Sequence, residues 1–250
     1  MIDSGSEQPA GSPPVPRTGI LIAIDEDPQP RIPVLPKRFF PPIPRVTPQI
    51  LFPDRVVCFN DHLRIHRFIG AIDSAQFLVY ADGACFDNGR DKPKAGWAFV
   101  FKDSTSDRPT KGRISGRLET TALTGEARRP TGRRAELRAV IAALQYLYKD
   151  CDTFESVVVA TDSAYVVNNA IRLLGKWSSN GWTNLSGNPV QNKDLWQDLL
   201  RAVEGWAKKN REVYLWRIHP DWNGEADRFA RLAVTSRPLP IDFGELRGYY

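Results

Sequence analysis

The chain has 250 residues and carries 34 Lys and Arg against 29 Asp and Glu, a formal net charge of +5. That length suits one well-formed core with room for a small extra segment, and the mild basic excess favours a polyanionic partner without defining one. No apolar run approaches the ~18 residues of a membrane span, and the acid-bearing start Ile2-Asp3-Ser4-Gly5-Ser6-Glu7 is unlike a secretory or transit leader. Three cysteines, Cys58, Cys85 and Cys151, have no metal-ligand spacing and suit reduced thiols. The expected setting is intracellular, cytoplasm or nucleus.

Of the 20 prolines, 13 fall before residue 54. Such density opposes helix and central strand, so residues 1–55 are expected to be a largely disordered tail, able to offer a polyproline II ligand to a protein partner. Residues 56–75 read as a linker or edge segment. From residue 76 to 236 the pattern is that of a folded domain. Residues 76–84 and 95–102 are apolar, aromatic-rich runs joined by a Gly/Pro/Asp turn, which suggests a hairpin. Residues 112–119 alternate polar and apolar and give a third, half-exposed strand. Over 131–148, Leu137, Val140, Ile141, Leu144, Leu147 and Tyr148 recur at helical spacing. Residues 156–160 are a β-branched run of the buried parallel kind. Residues 163–174, 193–208 and 223–235 read as helices and 212–218 as the last strand, with 237–250 a C-terminal tail. The order gives a mixed α/β sheet flanked by helices.

Four acidic residues stand in short motifs on this frame: Asp82 in Tyr80-Ala81-Asp82-Gly83, Glu136 in Arg134-Ala135-Glu136-Leu137, Asp162 in Thr161-Asp162-Ser163 and Asp227 in Ala226-Asp227-Arg228. A carboxylate at the end of a buried strand is costly unless it is paired or binds a metal. Each has a plainer reading as well: Asp82 as a turn residue, Asp162 as a helix cap, Glu136 and Asp227 as surface helix charges. Carboxylates converging from separate elements make an oxygen-only site suited to Mg²⁺ or Mn²⁺, and two such ions can brace the attacking and leaving oxygens of a phosphodiester.

In this order the four motifs resemble ribonuclease H of type 1, over about residues 75–236. Cys85-Phe86-Asp87-Asn88-Gly89-Arg90 and Pro93-Lys94-Ala95-Gly96 are similar to the eukaryotic form of its first turn, and Trp177-Ser178-Ser179-Asn180-Gly181-Trp182 with Asn192-Lys193-Asp194-Leu195-Trp196 to its basic protrusion and the following helix. The resemblance implies a ribonuclease H-like fold with a five-stranded mixed sheet. It also implies endonucleolytic hydrolysis of the RNA strand of RNA–DNA hybrids, with two Mg²⁺ held by Asp82, Glu136, Asp162 and Asp227. His219, before the last aspartate, is the candidate proton shuttle. Asn88 and the Gly132-Arg133 segment would face the 2′-hydroxyls, while Arg129, Thr131 and Asn192 would grip the DNA-strand phosphate. Trp177 and Trp182 would present flat faces to sugar or base. A monomer is expected. The rival from another class is a catalytically weak or inactive nucleic-acid-binding or interaction protein on the same fold.

Overall fold

The structure is a computed structural model that describes residues 32–60, 63–103, 112–122, 125–147 and 154–236, with side chains set aside at 57–65. The expectations for residues 1–31, Tyr148, the tail at 237–250 and the thiols of Cys58 and Cys151 lie outside the described residues. Two units, Met1–Ile32 and Pro33–Tyr250, divide the chain, and every assigned element belongs to the second.

Along that unit run β1 (Lys37–Arg38), α1 (Pro48–Leu51), β2 (Asp54–Asn60), β3 (Leu63–Ile69), β4 (Gln76–Phe86), β5 (Lys94–Val100), β6 (Arg113–Arg117) and α2 (Gly132–Leu147). Then follow β7 (Ser156–Thr161), α3 (Ala164–Arg172), α4 (Leu174–Ser179), α5 (Lys193–Ala207), β8 (Glu212–Arg217), a 3-10 turn at Pro220–Trp222 and α6 (Gly224–Ala233). All six residues of β7 are buried. It lies parallel between β4 and β8, covered on both faces, which is why its sequence is a continuous apolar run rather than an alternating one. β5 and β6 continue antiparallel from β4. These five strands form the expected mixed sheet. Helices α2 and α5 cover one face over a core that includes Val79, Phe99, Leu144 and Trp206, while α6 covers the other over Tyr80, Val158, Trp216 and Phe229.

Residues 33–55, expected to belong to a tail, are built into the domain. β1 adds to the outer edge of β8 in parallel, and the hairpin of β2 and β3 pairs with the start of β4, making eight strands among the described residues. Phe39 packs on Phe52, Tyr214 and Trp216 at ring separations of 5.8, 6.3 and 5.0 Å, and Leu51 and Phe52 are buried. Proline density misleads here for a physical reason. Proline is excluded only where its missing N–H is needed, and this segment uses a two-residue edge strand and a short helix with Pro48 at its first position.

The helix expected at 163–174 is instead two, α3 and α4, meeting at Leu173, whose ψ of −27° and φ of −120° leave the helical region. No helix among the described residues is long and apolar enough to cross a membrane.

Candidate active site

Register brings the first two carboxylates side by side. Tyr80 of β4 pairs with Ala160 of β7 in parallel, and Asp82 and Asp162 each stand two residues further on, at equivalent places on neighbouring strands. Glu136 comes from the first turns of α2, which descends onto β4 at Gly83. A Cβ at position 83 would lie 2.1 Å from both the Ala135 carbonyl carbon and the Glu136 nitrogen, so only glycine lets the helix come this close. Thr131 fixes where α2 begins, its hydroxyl accepting from the Arg134 N–H at 3.2 Å. Asp227 arrives on α6 by the same device. α6 rests on β5 at Gly96, where a Cβ would meet the Ala230 oxygen and the Val234 nitrogen at 2.6 Å.

The four carboxylates line one open cleft of about 350 Å³ together with Gly83, Arg133, Ser163 and Tyr165. Two side chains that the sequence reading did not tie to the carboxylates hold it in shape. Ser163 donates its hydroxyl to Glu136 Oε2 while accepting from the Val166 N–H at 3.2 Å, so one residue caps α3 and orients the glutamate. Asn223, fully buried, donates to Asp162 Oδ1 at 3.1 Å and to the Ala81 carbonyl at 3.2 Å, tying the start of α6 to the middle of β4 and the end of β7. Ser163 was legible as the residue after a strand-end aspartate; Asn223 gave no local signal, because its partners are distant in sequence.

Charge in the cleft is poorly balanced. Asp82 is 7% exposed and accepts one hydrogen bond, from the Gly83 N–H at 2.7 Å. Burial, then the charge of Asp162, then those of Asp227 and Glu136, push its pKa up to about 8, with the Gly83 bond opposing. Burial also raises Glu136, offset by the Ser163 bond and by Arg133. Asp227 is held by Arg231, whose Nε lies 2.8 and 2.9 Å from its two oxygens. Among the described residues no Lys or Arg forms an ion pair with Asp82. Hard oxygen donors crowded together at this cost fit a divalent cation, which would supply the missing positive charge. They do not form a ready-made chelate: among the described residues no three Asp, Glu, His or Cys side chains stand close enough to hold an ion as they are.

Arg133 lines the cleft with its guanidinium 5.0 Å from the Tyr165 ring. Tyr165 links it to Asn192, whose side-chain amide donates to the Tyr165 hydroxyl at 3.0 Å. Asn192 has a left-handed φ of 60° and accepts from Arg134, which is itself clamped in two bonds by Asp194 at 2.9 and 2.6 Å. Arg129 is exposed and donates to the Arg90 carbonyl, fastening the turn that carries Asn88. Asn88 sits across from Gly132, its amide 3.9 Å from where a Cβ there would be. Trp177 packs on Trp196 at 5.4 Å, and both Trp177 and Trp182 lie half-buried against the core, so they are anchored by packing before they meet any ligand.

His219 is not among the residues lining the cleft. It starts the 3-10 turn before α6, accepting at Nδ1 from the Asp221 N–H at 3.3 Å, with its side chain 62% exposed and its ring near Trp222. Pro220 at the first position of that turn favours this capping role over one directed at the carboxylates.

The family model for RNase H matches residues 74–235. The chain therefore belongs to the ribonuclease H family, a family that generally uses divalent metal ions. The ribonuclease H of Prosthecochloris aestuarii is 36% identical over 165 residues, covering 64% of this chain and 97% of that protein. The ribonuclease H of Treponema pallidum is 37% identical over 139 residues, covering 56% and 79%. Among solved structures, LC9-RNase H1, a type 1 RNase H with the type 2 active-site motif, is 28% identical with a TM-score of 0.45, covering 64% of this chain and 72% of that one. Residues 33–73, which carry β1, α1, β2 and β3, precede the matched span.

Proposed function

We propose that this chain hydrolyses the RNA strand of RNA–DNA hybrids at the four-carboxylate cleft. The observation that carries the reading is the meeting of Asp82, Glu136, Asp162 and Asp227, from four separate elements, in one open cleft of a chain of this family. In the reaction a water oxygen forms a bond to phosphorus while the bond from phosphorus to the 3′ oxygen breaks, leaving a 3′-hydroxyl and a 5′-phosphate.

Asp82, Glu136, Asp162 and Asp227 would hold two Mg²⁺, or Mn²⁺ in their place, and when bound these ions supply Lewis acidity at the attacking and leaving oxygens. The chain's own residues prepare that site. Ser163 and Asn223 fix the rotamers of Glu136 and Asp162 so that their oxygens face the cleft rather than solvent. Asp82 shares its surroundings with three acids and takes up a proton readily when no cation is present. Arg133 at the rim offers charge to an approaching phosphate, and the chain of Tyr165, Asn192 and Arg134 stiffens the same wall. Thr131, Arg129 and Asn88 stand around the first turn and the start of α2, the side from which the hybrid would be gripped. Asn88 and the backbone at Gly132 would meet the 2′-hydroxyl that separates RNA from DNA.

The test is incubation of the purified protein with an end-labelled RNA–DNA hybrid, with and without Mg²⁺. Metal-dependent cutting of the RNA strand alone supports the reading. Hybrid binding without cutting in any divalent metal would assign the chain to the weak or inactive binding proteins on this fold.

A further inference from the structure

The segment that precedes the family-matched span helps form a second cavity, of about 470 Å³, outside the carboxylate cleft. Asp54, Asp103, Asp221 and Glu225 line it, and among the described residues no Lys or Arg does. The rings of Phe52, Phe68, Tyr80 and Trp222 form its apolar walls.

Three buried polar atoms on this lining, Tyr80 Oη, Asp54 Oδ1 and Asn223 Oδ1, lack a hydrogen-bond partner among the described residues. Tyr80 is only 6% exposed, and its hydroxyl is unpaired. Asp54 uses Oδ2 for His66 Nδ1 at 2.9 Å, but its Oδ1 is buried and unpaired. An unpaired buried polar group costs free energy and calls for a ligand that completes it. A carboxylate oxygen can only accept, so the complementary group is an N–H donor. The acidic lining selects for positive charge and repels phosphate. Aromatic walls attract an organic cation through their ring faces and suit a strongly hydrated metal ion poorly.

We propose that this cavity binds an organic cation, a guanidinium or ammonium group that donates to Tyr80 Oη and Asp54 Oδ1 against the aromatic walls. Its source is either a free polyamine or the side chain of an Arg- or Lys-bearing peptide. Asn223 lines this cavity and also holds Asp162, so the two sites share a wall.

Calorimetric titration of the full chain, in metal-free buffer at low salt, with N-acetylarginine amide and with spermidine tests this. Saturable one-site binding is expected, weakened about tenfold by Tyr80→Phe and about tenfold by Asp54→Asn, the size of one lost hydrogen bond to a charged group. Tyr80→Phe should also raise the Tm of the ligand-free protein, because an unpaired buried hydroxyl is gone; that readout separates lost binding from lost folding. Stronger binding of the arginine amide assigns a peptide side chain, and stronger binding of spermidine a free polyamine; either supports the site. Saturation by neither probe, or by Mg²⁺ alone, or equal affinity in the parent and in Tyr80→Phe, overturns it.

Discussion

Gly83 and Glu136 are in contact so close that a single added carbon at position 83 would stand 2.1 Å from the Glu136 backbone nitrogen. The contact turns a strand and a helix into one wall of the cleft, with Asp82 on the strand and Glu136 on the helix. Gly83→Ala must therefore lift α2. Overpacking of this kind costs about 1–3 kcal/mol, visible by urea denaturation. Cleavage should fall by at least ~10²-fold, because a displacement of about 1 Å at a reacting centre is enough for that. Hydrolysis near the parent rate in Gly83→Ala would mean that the position of Glu136 is not critical.

The raised pKa of Asp82 makes stability depend on pH. Its folded pKa is about 8 against an ordinary value of 3.8, so between those limits the folded protein binds more protons than the unfolded chain. Without metal, the stability tied to this group is fully present below pH 3.8 and is lost as pH rises through about 8. Glu136 shifts in the same direction. Denaturation in EDTA should give lower stability at pH 8 than at pH 5.5, Asp82→Asn should flatten that slope, and Mg²⁺ should restore stability at pH 8. A slope of the opposite sign at these pH values, or one that Asp82→Asn leaves unchanged, would contradict the electrostatics described for the cleft.

Asn223 and His219 should behave oppositely although they lie four residues apart. Asn223→Ala cuts the tie from α6 to Asp162 and the Ala81 carbonyl, costing about 1–3 kcal/mol and most of the activity. His219→Ala removes an exposed cap and should lower kcat by less than about tenfold, against the ~10²–10⁴-fold expected of a proton-transfer group. Steady-state kinetics on the two variants, with the pH profile of His219→Ala, checks both.

The carboxylates were legible because Asp82 lies inside an apolar strand, the other three lie where patterned elements end or begin, and their order along the chain resembles a known family. Strand β7 was legible from its β-branched run and α2 from its apolar spacing. The N-terminal segment was not. Its prolines mask the few large side chains, Phe39, Leu51 and Phe52, whose burial depends on distant Trp216 and Tyr214. The roles of Gly83, Gly96 and Asn223 were equally hidden, since the two glycines meet helices and Asn223 meets Ala81 and Asp162, all distant in sequence. The position of His219 in the sequence points to the cleft, while Pro220 and the Asp221 N–H hold it in a cap.

That N-terminal packing gives a truncation experiment. A protein beginning at residue 33 should unfold cooperatively. One beginning at residue 70 loses Phe39, Leu51 and Phe52, and removal of a buried Phe alone costs about 3–5 kcal/mol, against a usual total near 5–15 kcal/mol. It should unfold at much lower denaturant or aggregate. Equal stability of the two proteins would show that residues 33–69 add nothing to the core.

The central claim is that the four-carboxylate cleft cuts RNA in a hybrid, and the most direct measurement pairs cleavage with binding for the parent and Asp82→Asn. The parent should cut the RNA strand only with divalent metal. Asp82→Asn should bind the hybrid about as tightly, since basic residues supply most of the affinity, yet cleave at no detectable rate. Undiminished cleavage by Asp82→Asn would place the activity elsewhere and contradict the account.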